Sequence, residues 1–196
     1  MRHNHLLEGW AFRLRPVTLA DAELIVELRT GDAQRSRFLH SISPDPELQR
    51  QWLSHYFERA NDYYWVIERL DGARAEGLIG IYDLKPELRT AEWGRWILRP
   101  DSLAAAESAL LVYRAAFELL TLDSIYCLTI ADNQPVVSFH DSCGLPRVAL
   151  LRDHLHLGDQ NFDAVKHQCT RETWPALETK LEPQAQLIAR RLQRQK

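Results

Sequence analysis

The stretch "NQPVVSFHDSCGL", Asn133 to Leu145, carries a histidine, the side chain that takes up and releases a proton most readily near neutral pH. Val136, Phe139, His140 and Cys143 share one face of a helix, so His140 serves either proton transfer or core packing. A second candidate is Glu92 in "AEWGRWIL", where alternation puts Glu92, Gly94, Trp96 and Leu98 on one face of a strand. Between an alanine and a tryptophan, partial desolvation would raise its pKa toward that of a general base; the alternative is an ordinary strand-end carboxylate in water. The third is "RPDSLAAAES", which begins a helix. Helix N-termini present unpaired N–H groups and partial positive charge, a phosphate site, and Ser102 with Ala104 to Ala106 would let a phosphate approach the backbone. The same residues also read as no more than a well-capped, alanine-rich helix.

Other chemistries find less support. His154 and His156 alternate in "RDHLHL", but no third ligand goes with them, and no metal is expected. Cys127, Cys143 and Cys169 are odd in number, widely spaced and set in apolar patterns, which reads as core residues in a reducing, cytoplasmic setting. A cysteine nucleophile paired with His140 would lack an orienting acid. A net charge of -3 gives no reason to expect nucleic acid, and no apolar run is long enough for a membrane span.

The elements that must position these residues follow from period and punctuation. "FRLRPV" alternates, then "TLADAELIVELRT" turns helical, with Thr18 as N-cap and Asp21 in the first turn. "SPDPELQRQWLSHYFERA" is a second helix with Leu48, Trp52 and Tyr56 on one face. "YYWVIERL", "GLIGIYDL" and "AEWGRWIL" form an antiparallel meander. Leu103, Ala106, Leu110, Tyr113, Phe117 and Leu120 mark a long helix, which with the strand "SIYCLTI" completes a β–α–β crossover. A short helix from Asn133 stops at Gly144, and "VALLRDHLHL" with "DAVKHQCT" makes a final hairpin. Residues 1–10 read as an N-terminal extension, and residues 175–196 as a polar, solvated helical tail. The order β-α-α-β-β-β-α-β-α-β-β predicts an α+β domain with one mixed sheet.

That order resembles the GNAT superfamily of acetyl-CoA-dependent N-acetyltransferases over residues 11–174, in the branch that includes RimJ/RimL-type protein N-terminal and nucleotide-amino-sugar acetyltransferases. Two motifs sharpen the likeness. The family's Gln/Arg-x-x-Gly-x-Gly/Ala loop is matched by Arg99-Pro100-Asp101-Ser102-Leu103-Ala104, with serine at the first glycine. The family's asparagine-to-glycine spacing recurs as Asn133 and Gly144, with Leu145 in place of phenylalanine. The resemblance implies a mostly antiparallel GNAT-like sheet with a central splayed parallel pair and flanking helices. It further implies acetyl-CoA as cosubstrate, held by backbone groups of Ile97, Leu98 and Arg99, by the loop at Ser102, Leu103 and Ala104, and by Asn133. A left-handed backbone at Ser102 would make the serine costly there.

Acetyl transfer to an amine needs a base for the amine and benefits from an acid at the departing thiolate. Where many relatives have a tyrosine acid, seven residues after the asparagine, this chain has His140. Glu92 takes the place of the fourth-strand glutamate that often activates the amine through water. The first-half pattern implies a small-molecule amine acceptor, with a nucleotide-linked amino sugar first and a protein N-terminus second. Arg29 and Trp93 are candidate acceptor contacts, with Arg37, His40, Trp52 and Trp96 in the same region; each also reads as an ordinary helix, loop or core residue. A catalytically degenerate, coenzyme-binding sensor is the alternative of another class.

Overall fold

The computed structural model describes residues 3–194. All of its strands join one eight-stranded sheet: β1 (Leu7–Glu8), β2 (Phe12–Pro16), β3 (Tyr63–Arg69), β4 (Ala75–Lys85), β5 (Thr90–Leu98), β6 (Ser124–Ile130), β7 (Arg147–Leu157) and β8 (Gln160–Thr170). Their spatial order is β1-β2-β3-β4-β5-β6-β8-β7, antiparallel except for β5 beside β6. Among the described residues six α-helices flank the sheet: α1 (Ala22–Thr30), α2 (Ala33–Ser36), α3 (Pro46–Tyr56), α4 (Ala105–Arg114), α5 (Gln134–Ser142) and α6 (Trp174–Gln193). This is the α+β, mostly antiparallel fold expected. Among the described residues no helix is long and apolar enough to cross a membrane.

Period-2 alternation gives each inner strand two apolar faces, and the helices cover both. On one face Phe12, Trp65, Ile79, Trp93, Ile125 and Cys127 pack with α4 and α6. On the other, Tyr64, Val66, Leu78 and Ile97 pack with Ile25 and Leu28 of α1 and Leu53 of α3. The entry to α1 is capped as the sequence indicated: Thr18 and Asp21 form a reciprocal capping box, and Asp21 also grips the Arg15 guanidinium at 2.7 Å.

Two segments depart from their sequence reading. The N-terminal segment joins the sheet: Leu7 and Glu8 pair with β2, and the Trp65 indole donates to the His5 carbonyl at 2.8 Å. The segment read as a solvated tail is α6, which lies on α4 with Leu177, Leu181, Ala185 and Ala189 buried in the main core. Those residues recur every fourth position, a stripe diluted in the sequence by glutamate, lysine, glutamine and Pro183, which sits inside the helix. Arg114 of α4 fastens the pair to Glu178 at 2.9 Å. Leu181 is 1% exposed. Leu181→Ala should therefore cost about 2–5 kcal/mol in urea denaturation, where a solvated position would change stability by about 0.5 kcal/mol or less.

Candidate active site

The site forms where β5 and β6 part. Their parallel pairing covers only Thr90↔Ser124, Ala91↔Ile125 and Glu92↔Tyr126. Beyond Glu92 the strands diverge, and a bulge explains why. Gly94 pairs with Gly80 and Ile97 with Leu78, so Arg95 and Trp96 together oppose Ile79, with Arg95 left-handed at φ 50°. A bulge of this kind bends its strand and sharpens its twist. It also resets the alternation, which corrects the one-face reading of β5. Trp96 packs on Trp93, Phe139 and His140, the face opposite Glu92, while Arg95 stays on the side of Glu92, stacked over Tyr82.

The gap opens into two adjoining cavities of about 100 and 380 Å³. The smaller reaches Trp93, Cys127 and His140; the larger runs between Leu98, Asn133 and Gln34. Both are bounded by Phe38 and Leu39, just beyond α2.

Along β5 the direction of the backbone hydrogen-bonding groups follows strand parity. The Arg99 N–H donates to the Glu76 carbonyl of β4 at 2.8 Å. Residues two apart turn their N–H and C=O the same way, so Ile97 also faces β4 and Trp96 and Leu98 face the gap. Of Ile97, Leu98 and Arg99, the residues expected to offer backbone groups to a cofactor, Leu98 is the one turned toward the gap, beside Trp96. The Arg99 side chain is committed as well, to Glu27 of α1 at 3.0 Å and to the Ala75 carbonyl at 2.8 Å.

The loop before α4 is well formed. The Ala104 N–H donates to the Ser102 hydroxyl at 3.2 Å, Ser102 is not among the left-handed residues, and serine costs nothing there in place of glycine. Leu103 and Ala104 lead into the helix, whose first positions, Ala105 and Ala106, are small. The acidic residue of the first turn, Glu107, turns inward, and its Oε1 accepts the Ala11 and Phe12 N–H groups at 3.0 and 3.2 Å. The helix entrance thus keeps small residues at its end, a surface suited to a phosphate.

His140 sits on the α4 side of the gap, 3% exposed. Trp93 meets it edge-on at 5.3 Å between centroids, the His167 ring lies at 5.1 Å, and Nε2 is 3.6 Å from the Cys127 Sγ. Burial, reinforced by His167, lowers its pKa to about 3. It is therefore a neutral imidazole at physiological pH, with roughly one molecule in ten thousand protonated at pH 7. Sequence reasoning anticipated a near-neutral pKa; the aromatic enclosure that removes it comes from β5 and β8, distant in the chain. His167, fully buried, was overlooked: Nε2 contacts Asp141 at 3.1 Å, while Nδ1 has no partner. Burial also pushes the Cys127 thiol well above its ordinary pKa, which keeps it protonated and argues against a cysteine nucleophile.

Glu92 lies on the opposite face of the sheet, at the last paired position before the gap. The Tyr82 hydroxyl donates to its Oε1 at 3.0 Å. Desolvation outweighs that bond and raises the carboxyl to about 7. Glu92 and His140 thus flank the gap from its two sides, one a carboxyl poised near neutrality and the other a neutral N–H donor.

The two candidate acceptor contacts fare differently. Trp93 is 1% exposed, with its indole N–H on the Tyr113 hydroxyl at 3.2 Å, so it is a core residue whose edge reaches the smaller cavity. Arg29 donates to the His40 carbonyl and ties α1 to the segment before α3.

A splayed parallel pair above a small-residue helix entrance is the arrangement the sequence pointed to, and residues 12–146 match the family model described as acetyltransferase (GNAT) domain. The chain belongs to the GNAT acetyltransferase family. It is accordingly an acyltransferase, and acetyl-CoA is the donor typical of GNAT proteins. No curated protein matches the chain. Among solved GNAT structures, apo FdhC, a nucleotide-linked sugar GNAT, is 27% identical over 91% of this chain and 97% of its own, with a TM-score of 0.76. A GCN5-related N-acetyltransferase from Brucella melitensis is 19% identical over 92% and 85%, with a TM-score of 0.81. A variant of the spermidine N-acetyltransferase SpeG from Vibrio cholerae is 16% identical over 85% and 97%, with a TM-score of 0.72. The last two share the GNAT fold.

Proposed function

We propose that this GNAT protein transfers the acetyl group of acetyl-CoA to the primary amine of a nucleotide-linked amino sugar. The observation that carries the transfer is the parting of β5 from β6 between Glu92 on one face and His140 on the other. A thioester in that gap would run along Trp96 and Leu98 of β5, with Asn133 at the cavity wall and the entrance of α4 for its phosphates. The amine would approach from the Glu92 side, where that carboxylate, directly or through water, takes the proton released as nitrogen attacks the carbonyl. The departing sulfur would lie on the His140 side, where a neutral imidazole N–H stabilises it by hydrogen bonding without first becoming charged. Support for the acceptor comes from FdhC, the nucleotide-linked sugar GNAT that matches at 27% identity over nearly its whole length.

Calorimetry with acetyl-CoA, with desulfo-CoA and ATP as controls, tests the donor site. Coenzyme-selective binding is expected, and Ser102→Trp should weaken it at least about tenfold by filling the phosphate surface, a loss of about 1.4 kcal/mol or more. Binding undiminished in Ser102→Trp would remove the loop from the site. Thiol release from acetyl-CoA in the presence of a nucleotide-linked 4-amino sugar, a short peptide with a free N-terminus, or spermidine then tests the acceptor. Preference for the peptide or the polyamine would overturn the sugar assignment.

A further inference from the structure

Glu92 stands between two breaks in the sheet, and both bear on its cross-strand neighbour Tyr82. Asp83, next to Tyr82, and Arg95, three residues after Glu92, are left-handed at φ 49° and 50°. Non-glycine residues seldom adopt that conformation, and at Arg95 it belongs to the bulge that leaves the guanidinium over Tyr82. The Tyr82 hydroxyl, which meets Glu92 Oε1 at 3.0 Å, needs the glycine at 94: a Cβ there would collide with the hydroxyl oxygen. The ring is covered by the Arg95 guanidinium at 4.5 Å from its centroid, and Asp62 clamps that guanidinium, Nη2 to Oδ2 at 2.8 Å. Space, a lid and a clamp for one phenol thus come from β5 and the segment before β3.

We infer that Tyr82 is a positioning residue for Glu92: its hydroxyl fixes one carboxylate oxygen and stabilises the ionised form, in a seat built by Gly94, Arg95 and Asp62. The inference rests on the reading of Glu92 as the base, since the bond to Oε1 leaves Oε2 for the amine's proton. The charged and titratable groups that interact with Glu92 are Tyr82 and Asp83 from β4, Arg95 from β5, Tyr126 and Cys127 from β6 and Lys166 from β8. Desolvation and Asp83 oppose ionisation, whereas Tyr82, Lys166 and Arg95 favour it, and Tyr82 does so through a direct hydrogen bond.

The test is a carboxyl titration by NMR of the full chain carrying 13C-labelled glutamate, with the Glu92 signal assigned from Glu92→Gln. Tyr82→Phe, which removes one oxygen and keeps the ring, should raise the Glu92 midpoint by about half to one pH unit. Gly94→Ala should shift it the same way by displacing the hydroxyl, and Tyr126→Phe should leave it in place. A folded Tyr82→Phe whose midpoint is unchanged or lowered overturns the inference. The acid limb of acetyl transfer to a nucleotide-linked 4-amino sugar separates this from the base reading. A limb that follows the NMR midpoint upward supports both. A limb that stays put while the midpoint moves removes Glu92 as the base and keeps Tyr82 as its tuning partner.

Discussion

His140→Ala should lower kcat by about 10²–10³-fold while leaving the Kd for acetyl-CoA within a few-fold, the loss expected when a preorganised donor to developing charge is removed. The environment of the ring decides what kind of donor it is. Trp93, Trp96, Phe139 and His167 surround it, and burial holds its pKa at about 3. Carrying the proton as imidazolium would require a species almost absent at pH 7, so the neutral N–H is the working form. Two consequences distinguish this from core packing. The pH profile between 5 and 8 should carry no limb that vanishes in His140→Ala. His140→Gln, which keeps a neutral N–H donor, should recover part of the lost turnover at equal thermal stability. Unchanged turnover in a folded His140→Ala would return the residue to the core.

How much of this was legible in the sequence depends on whether a residue's surroundings are local. The order of elements from β2 to β8, apart from the short α2, rests on period and punctuation, as do the Thr18 cap, the crossover helix and the parallel pair, and each stands where the sequence placed it. The faces of β5 were misread because strict alternation assumes an unbroken strand, and Arg95 inserts a residue at φ 50°. Gly94 just before it was the available signal, since glycine inside a strand pattern suggests a bulge or a close approach, and here it marks both. Helix α6 was misread because its stripe of leucine and alanine is narrow and its other faces are polar, the composition of a helix with one buried side. The charge states of the site were legible only in part: the raised Glu92 carboxyl was one of two readings its neighbours allowed, whereas the depressed His140 pKa had no local signal. They depend on residues such as His167 and Tyr82, which meet His140 and Glu92 across strands.

Glu92→Gln should have two effects of opposite benefit, and their common origin is the strongest reason to test them together. Desolvation raises the folded-state carboxyl from 4.5 to about 7. Because the folded pKa lies above the unfolded one, the folded state binds more protons between those values, and Glu92 costs stability progressively as pH rises through that window. Below pH 4.5 the carboxyl is neutral in both states and the cost is absent; above pH 7 it is complete, at most about 3 kcal/mol. Glutamine is neutral throughout and still offers an oxygen to the Tyr82 hydroxyl. In urea denaturation Glu92→Gln should match the wild type at pH 4 and exceed it at pH 8.5. The same variant should lower kcat/KM by about 10²–10⁴-fold and abolish the acid limb near pH 7, because an amide accepts no proton. A wild-type carboxylate already comfortable in solvent would give no pH-dependent stability gain, and a base located elsewhere would keep its limb. Activity lost together with stability gained only at high pH would identify one cause for both: a carboxylate kept partly out of water, where it is costly to the fold and basic enough to take a proton from an amine.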